Sequence, residues 1–339
     1  MSHYEIIKTL PGEKNYPLFE ELIHSIYAKN SPRFILGNDP VPQHLEACYV
    51  LLKENKPVGR FAFYENANLF YKEEKTCCIG SYECIDDVDA SNYLIHFARE
   101  LAKKRGSKFL LGPMEGSTWN NYRFSEKNDR KNFFMEPYHH IYYNQQFLDA
   151  GFKKIAQYDS NLDSKLTVDS LKIKDYEVEF TKKGANFRTI RMDDFENELR
   201  RIGKFSIDSF ADNFLYTSIS PEDFVSKYLP YKKYFDARMI WIVENPEEQI
   251  QAIIFAIKDY HDTANETFII KTIARRKEST YKGIGSYLAV KVMQIAKELG
   301  YKKVIHALMI QNNASVKISK VNDGDRFKSY ALYALKTGL

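Results

Sequence analysis

A glycine pair near the C-terminal end of this sequence is the feature best suited to binding an anion. It lies in the segment Lys282-Gly283-Ile284-Gly285-Ser286, and from Ile284 onward apolar residues recur every three or four positions, which predicts an amphipathic helix. A β-branched and aromatic segment at 268–273 precedes it and predicts a strand. Backbone N–H groups at a helix N-terminus suit a pyrophosphate. Residues without a Cβ let such an anion approach the backbone closely.

The residues around the glycine pair resemble the acyl-CoA loop of the GCN5-related N-acetyltransferase (GNAT) superfamily. That loop is usually written Gln/Arg-x-x-Gly-x-Gly/Ala and corresponds here to Thr280-Tyr281-Lys282-Gly283-Ile284-Gly285, with threonine in place of Gln or Arg. The elements that follow are in the superfamily's order: a strand at 304–310, two asparagines, a short helix-like run to Lys320 and a last strand at 327–333. The resemblance covers about residues 187–339.

The resemblance implies that an acyl-CoA, such as acetyl-CoA, is a co-substrate bound in the second half of the chain. Backbone groups of the strand before the loop would pair with the pantetheine arm, the loop would hold the pyrophosphate, and an asparagine would bond to pantetheine. The residues in these positions are Ile273, Ala274, Arg275, Tyr281, Lys282, Gly283, Ile284, Gly285, Ser286 and Asn312. A basic cluster in the same region either attracts the CoA phosphates or is a solvated loop, and the sequence leaves both interpretations open. This cluster consists of Arg275, Arg276, Lys277 and Lys282.

Acyl transfer to an amine requires a group that accepts the proton of the amine and a group that protonates the departing thiolate. Glu266, at the start of the strand before the loop, and Glu244, near the end of an earlier strand, are candidate bases, although such a residue is more often a surface carboxylate. Where the superfamily commonly has a tyrosine acid, this sequence has Ser319. Tyr330 or Tyr333 on the last strand could reach the pocket instead, or could belong to the core.

The side chains that could bind a metal are more simply explained by packing. His306 lies on a strand expected to be buried, and we predict a core histidine whose hydrogen bonds are satisfied. The four cysteines lie in the first quarter of the chain without a Cys-x-x-Cys pair, which predicts reduced core thiols. We therefore expect no metal.

Length and composition limit the possible classes of protein. The 339 residues are sufficient for about two domains of roughly 150 residues each. A net charge of +4, from 49 basic and 45 acidic side chains, is too small to indicate nucleic-acid binding. No apolar run approaches the roughly 18 residues of a membrane span, and the N-terminus lacks the pattern of a signal peptide. We therefore expect a cytoplasmic protein without nucleic-acid or membrane partners, and the oligomeric state stays open.

The first half of the chain repeats the order of elements of the second half. A hairpin is predicted at 47–64, a strand at 77–85, a helix from Ala90 to Leu101, and a strand at 108–111. A late helix at 143–150 and a strand ending at Tyr158 follow. The sequence therefore predicts two GNAT-like domains, each a mixed, mostly antiparallel sheet flanked by helices, in an α/β (α+β) chain. Their predicted bounds are 1–160 for a degenerate domain, 161–186 for a connection and 187–339 for the acyl-CoA-binding domain. Within the connection, residues 176–180 alternate in polarity and could form a strand.

The first half should not bind CoA, because the segment before its helix is acidic and lacks glycine. Asp86, Asp87 and Asp89 favour the helix dipole but repel a pyrophosphate. Asp89 or Ser91 is the predicted N-cap of this helix.

These observations support one function and leave two alternatives. The favoured function is an acyl-CoA-dependent N-acyltransferase, with acetyl as the expected group and a small amine or peptide amine as acceptor. Thr280 and Ser319 replace commonly functional residues, which favours an inactive binding or regulatory protein. An aminoacyl transferase resembling the Fem family, which does not use CoA, is the third possibility, and the intact glycine pair argues against it.

Overall fold

The computed structural model describes residues 4–34, 40–167, 170–311, 319 and 325–338. The chain divides into two compact units. Unit 1 contains residues 1–157, 214–217 and 329–339, and unit 2 contains residues 158–213 and 218–328. Each unit has its own hydrophobic core. None of the described helices has the length and apolar character needed to cross a membrane.

The sheet of unit 1 has the strand order β1-β2-β3-β5-β6-β14, in which neighbours are antiparallel except for the parallel pair β5–β6. Its second and third strands, β2 and β3, form a hairpin whose two-residue turn places Glu54 and Asn55 at positive φ, the conformation that matches the twist of a hairpin. The strands are β1 (Tyr4–Thr9), β2 (Leu45–Lys53), β3 (Lys56–Tyr64), β4 (Phe70–Tyr71), β5 (Glu74–Cys84), β6 (Phe109–Gly112), β7 (Phe124–Ser125) and β14 (Asp325–Lys336).

The helices of unit 1 are α1 (Tyr16–Ile26), α2 (Val88–Lys104) and α3 (Tyr142–Asp149). Helix α2 buries Ala90, Leu94, Ala98 and Ala102, one residue every four positions, against the sheet. Its N-cap is Asp87, whose carboxylate accepts a hydrogen bond from the backbone N–H of Ala90 at 3.0 Å. The prediction of Asp89 or Ser91 as N-cap was wrong by two to four residues, because periodicity alone does not locate the first turn.

The sheet of unit 2 has the order β8-β13-β12-β11-β10-β9, in which neighbours are antiparallel except for the parallel pair β12–β13. The strands are β8 (Lys153–Asp163), β9 (Asn186–Thr189), β10 (Ile240–Glu244), β11 (Ile250–Lys258), β12 (Thr267–Arg275) and β13 (Lys303–Ile310). Each unit is therefore a mixed, mostly antiparallel sheet flanked by helices, and the predicted fold class is confirmed.

The helices of unit 2 are α4 (Ser170–Lys182), α5 (Phe195–Phe210), α6 (Pro221–Tyr228) and α7 (Ile284–Glu298). Helix α7 buries Ile284, Leu288 and Val292 in the core against β11 and β12, as its periodicity predicts. The possible strand at 176–180 is instead part of α4. Phe180 of this helix is buried in the core of unit 2, so tertiary packing overrides the alternating pattern of a short segment.

The last strand differs from expectation in the sheet that it joins. The predicted bounds grouped it with residues 187–339, whereas residues 329–339 belong to unit 1, where β14 pairs with β6. Ala331, Tyr333 and Leu335 of β14 pack in the core of unit 1. Conversely, residues 158–163 of β8 belong to unit 2 and pair with β13.

Candidate functional site

Strands β12 and β13 of unit 2 run side by side only over their first residues. Thr267–Ile270 pairs with Lys303–His306, and no further β12–β13 pair forms among the described residues. Immediately beyond the last pair, Lys271 is an extra residue in β12 relative to β11, and Leu308 of β13 has a φ of 57°. Because a bulge bends the strand that carries it, the two strands diverge at this point. We call the space between residues 271–275 and 307–310 the strand gap.

The side of β12 that faces the strand gap carries backbone groups. On the other side, Ile273 pairs with Ile254 of β11, and Ala274 pairs with Ile253. In such a strand, alternate residues direct their N–H and C=O groups to opposite sides. The predicted segment Ile273-Ala274-Arg275 therefore offers hydrogen-bonding groups along the gap, the arrangement needed to bind an extended chain with amides of its own.

The glycine turn lies between the C-terminal end of β12 and the start of α7. Gly283 is the N-cap residue of α7, with a φ of 92°. A Cβ on Gly283 would meet no atom within 4 Å, so the glycine is required by the left-handed backbone conformation and not by packing. Among the described residues no side chain caps this helix. The first-turn N–H groups, including those of Gly285 and Ser286, have no partner within the helix.

Tyr281 anchors the turn to the core. Its side chain is only 3% exposed, its ring packs edge-on against Phe180, and its hydroxyl donates to the carbonyl of Lys183 at 3.3 Å. Its backbone N–H donates to the hydroxyl of Ser279 at 3.3 Å. Of the residues predicted to hold a pyrophosphate, Tyr281 thus positions the turn, whereas Lys282, Gly283 and Ser286 are exposed.

Most of the predicted basic cluster is engaged within unit 2. Arg276 pairs with Asp208 at 3.4 Å, and Lys277 pairs with Asp212. Arg275 donates to the carbonyl oxygens of its own turn. Lys282 is exposed and has no ion pair with any described residue. The solvated-loop interpretation therefore fits Arg275, Arg276 and Lys277. Lys282 remains as a cation beside the first turn of α7.

The two carboxylates considered as bases are both engaged in ion pairs. Glu266 precedes the other end of β12, nine residues before Arg275, and bonds to Lys302 at 2.5 Å. This hydrogen bond lowers the pKa of Glu266. Glu244 is buried at the end of β10 and accepts hydrogen bonds from Arg188 and Arg201. Burial raises the pKa of Glu244, but these two guanidinium groups lower it overall, so both carboxylates stay ionised in ion-pair networks.

The tyrosine candidates belong to unit 1. Tyr330 is buried there and donates to Glu136 at 2.8 Å, and Tyr333 donates to Asn144 at 2.7 Å. The structure does not bring Tyr330 together with Glu266 and the turn in one unit. Asn312 lies outside the described residues.

His306 is a residue whose environment the sequence did not predict. It is 3% exposed, as expected for a core position, but its Nε2 has no hydrogen-bond partner among the described residues, so the prediction of a satisfied histidine was wrong. Burial lowers the pKa of His306 to about 4. On the neighbouring strand β8, Asn161 stands opposite His306 and donates to the buried hydroxyl of Ser319 at 3.0 Å. In the sequence, the only indication of this environment is a polar residue within a strand predicted to be apolar.

Unit 1 has the same divergence of parallel strands but fills it with its own chain. Strand β5 pairs with β6 only over Thr76–Cys78. Beyond this point, the N–H of Met114 bonds to the carbonyl of Ile79 at 2.8 Å, and Ser81 donates to the buried carboxylate of Glu115 at 2.7 Å.

Comparison with known proteins identifies the fold. No protein-family model matches the sequence, and no curated protein matches it. Among solved structures, a tandem GNAT protein from the clavulanic acid biosynthesis pathway covers 99% of both chains, with a TM-score of 0.56 and 10% identity. A GNAT protein from Sphaerobacter thermophilus covers 98% of this chain and 96% of its own, with a TM-score of 0.53 and 9% identity.

The GCN5-related glucosamine N-acetyltransferase region of a fungal multi-domain GH3 β-N-acetylglucosaminidase covers 99% of this chain, with a TM-score of 0.63 and 13% identity. This chain spans 38% of the length of that fungal protein. At these identities the likeness shows the fold alone. The chain has the fold of tandem GNAT proteins, and the predicted resemblance is confirmed at that level.

Proposed function

We propose that unit 2 binds an acyl-CoA, with acetyl-CoA as the expected form, and transfers the acyl group to an amine. The observation that carries this proposal is the strand gap opening beside an uncapped helix N-terminus with a left-handed glycine. Fold likeness to GNAT proteins, one of which is a glucosamine N-acetyltransferase region, adds support for this chemistry.

The dimensions of the gap suit an extended pantetheine arm. From Ile270 to Arg275 the strand advances five residues, or about 16 Å at roughly 3.3 Å per residue. A pantetheine arm carries two amide groups, which can pair with the gap-facing backbone groups of Ile273, Ala274 and Arg275. Its pyrophosphate would then lie at the N–H groups of Gly285 and Ser286, with Lys282 nearby.

The reaction itself requires little covalent chemistry from the protein. Binding both reactants in one orientation supplies much of the rate acceleration. A backbone N–H of β12 at the gap would polarise the thioester carbonyl. We infer a small-molecule or peptide amine as the acceptor, and its nitrogen must be neutral to attack the thioester carbonyl.

Calorimetry with acetyl-CoA tests the cofactor, and Ser286 offers a well-controlled variant. Ser286 is exposed in the first turn of α7, where a glutamate favours the helix dipole and should not reduce stability. We expect micromolar binding to the wild type. In Ser286→Glu, binding should weaken by about 10-fold or more, because like charges about 4 Å apart repel by 1–4 kcal/mol at a protein surface.

The matched control is Ser286→Gln, which has nearly the same shape without the charge and should bind within about 3-fold of the wild type, since a surface substitution changes little. Absence of binding to the wild type at millimolar acetyl-CoA would reject the proposal, and would leave a transferase that does not use CoA. Equal affinity of the Glu and Gln variants would place the phosphates elsewhere.

Turnover separates an enzyme from an inactive binding protein. Release of free CoA thiol with a panel of primary amines should exceed the rate without amine. Ser319 occupies the position where the superfamily commonly has a tyrosine acid. Its hydroxyl is buried and accepts a hydrogen bond from Asn161, and this observation favours the inactive alternative. Binding without thiol release from any amine would support that alternative.

A further inference from the structure

His306 lies at the closed end of the strand gap. It forms the last pair between β13 and β12, opposite Ile270, and the strands diverge directly after it. Because strand side chains alternate, His306 shares a face with Val304 and Ile270, which belong to the core beneath α7. Its imidazole is therefore inside unit 2, at the level where the gap begins.

The Nε2 atom of His306 is buried, and in the part of the chain that the structure describes it has no hydrogen-bond partner. An unsatisfied buried polar atom costs free energy, and such atoms are uncommon in folded proteins. Asn161, the residue opposite His306 on β8, donates its amide N–H to the Ser319 hydroxyl at 3.0 Å. The Ser319 hydroxyl is thus hydrogen-bonded within the core. The imidazole of His306, on the neighbouring strand β13, keeps Nε2 as an acceptor.

We propose that His306 is the catalytic acid–base group of unit 2, accepting the proton of the attacking amine and delivering it to the departing sulfur. This inference rests on the proposed acyl-CoA function. It assigns to an imidazole on β13 the role for which the sequence offered Glu266 and Tyr330.

The step balances in protons and electrons without another reactant. The amine lone pair forms the C–N bond to the thioester carbonyl carbon, and the C–S bond breaks with its electron pair on sulfur. Nε2 takes the proton released from the amine nitrogen and then gives it to the sulfur. The products are the amide and the CoA thiol, and the imidazole returns to its initial state.

The environment of His306 keeps the imidazole in the form that this step requires. Because burial lowers its pKa to about 4, the ring is neutral at pH 7 and has a lone pair to accept a proton. The accepting tautomer carries its proton on Nδ1, which leaves the unpartnered Nε2 as the base.

Kinetics of two variants test the assignment. His306→Leu and His306→Gln should each lower kcat by about 10²–10⁴-fold, the usual contribution of general acid–base catalysis, with the Kd for acetyl-CoA changed little. His306→Leu should also raise the Tm, because it removes an unsatisfied buried polar atom. The control, Ile305→Val, removes one methylene from the opposite face of the same strand and should keep the wild-type kcat.

A histidine that only fills the core would give the change in Tm without the loss of kcat. If either folded His306 variant kept kcat within about 3-fold of the wild type, the proposal would be overturned. Should His306→Leu fail to fold, His306→Gln decides the question.

A second measurement needs no acceptor and separates this inference from the proposed function. The ring ¹⁵N resonances of His306 should shift on binding CoA, whose thiol occupies the end of the gap, but not on binding desulfo-CoA. Equal shifts with both ligands, or none with either, would overturn the role of His306 while leaving acyl-CoA binding intact. No binding of either ligand would instead reject the proposed function, and this inference with it.

Discussion

The two units contain the same arrangement of a parallel strand pair followed by divergence, yet they treat the divergence differently. In unit 1, Met114 and Glu115 occupy the region beside Ile79 and Gly80, and Asp87 caps the helix that follows β5. In unit 2, no described residue pairs with β12 across the strand gap, and α7 begins at Gly283 without a side-chain cap.

This difference shows that the fold alone does not create a cofactor site. The same topology forms a packed scaffold where the chain fills the gap and places a carboxylate at the helix N-terminus. It forms a candidate binding site where glycine replaces the carboxylate and no described strand pairs with β12 beyond Ile270 on that side. Variants in each unit can therefore test whether the filled gap or the carboxylate at the helix N-terminus distinguishes the two units.

The largest effect is expected in unit 1 from Glu83→Gln. Glu83 is buried on β5 and accepts hydrogen bonds from Tyr27, Tyr143 and Arg33, each at 2.7 Å. Loss of its charge removes the carboxylate that faces the guanidinium groups of Arg33 and the fully buried Arg60, at a cost of about 3–5 kcal/mol. Hydrogen exchange of unit 1 peptides would report the loss. The control is Glu65→Gln, which removes a partly exposed pair with Lys75 and should cost less than about 1 kcal/mol.

The pH dependence of the same site has a defined sign. Burial raises the pKa of Glu83, but Arg33, Arg60 and the tyrosine hydroxyl groups lower it overall. A lowered folded-state pKa means that the stabilisation is present above the unfolded value of about 4.3 and is lost as the pH falls through the folded value. Protection of unit 1 amides in the wild type should thus decrease below about pH 4 more steeply than in Glu83→Gln. Parallel pH profiles would contradict this.

The second effect tests whether the gap of unit 1 is filled. A Cβ on Gly80 would lie 2.5 Å from Cγ of Glu115 and 2.9 Å from the carbonyl oxygen of Met114. Gly80→Ala should therefore destabilise unit 1 by about 1–3 kcal/mol through overpacking. A change below about 0.5 kcal/mol in denaturant unfolding would mean that this segment moves aside easily, as surface positions do.

Local pattern predicted most elements, because the periodicity of a helix or strand is encoded in consecutive residues. The hairpin β2–β3, helix α2 and strand β13 all appear close to their predicted bounds. Non-local features were not predictable. The sheet that β14 joins, the position of Arg33 beside Glu83, and the residue opposite His306 all depend on residues 50 or more positions away.

The same reason limits prediction of the site. The glycine turn could be predicted from the sequence because a left-handed backbone position is largely restricted to glycine. The engagement of Arg276 and Lys277 by α5 and its following turn was not, since pairing of surface charges leaves no periodic signal.

A third, smaller effect compares two glycines of α7. Gly283 and Gly300 stand before and after the helix, with φ values of 92° and 89°, and a Cβ on either would meet no atom within 4 Å. Substitution by alanine should cost about 1–2 kcal/mol at each position, because only the left-handed backbone is penalised. Only Gly283→Ala should also weaken acetyl-CoA binding in calorimetry, because it alone distorts the turn. Equal affinities of the two variants would show that the turn is not the phosphate site.

The smallest effect separates charge from occupancy in unit 1. Asp87→Ser retains an N-cap for α2 and removes the carboxylate, so stability should change by only about 0.5 kcal/mol. If the carboxylate of the N-cap alone kept CoA from unit 1, this variant would gain a site. If Met114 and Glu115 fill the gap, it would not, and we expect the latter. The measurement is calorimetry with acetyl-CoA in the Ser286→Glu background, where binding to unit 2 is weakened. Appearance of a new site in the double variant would show that the acidic cap, and not the chain within the gap, distinguishes the two units.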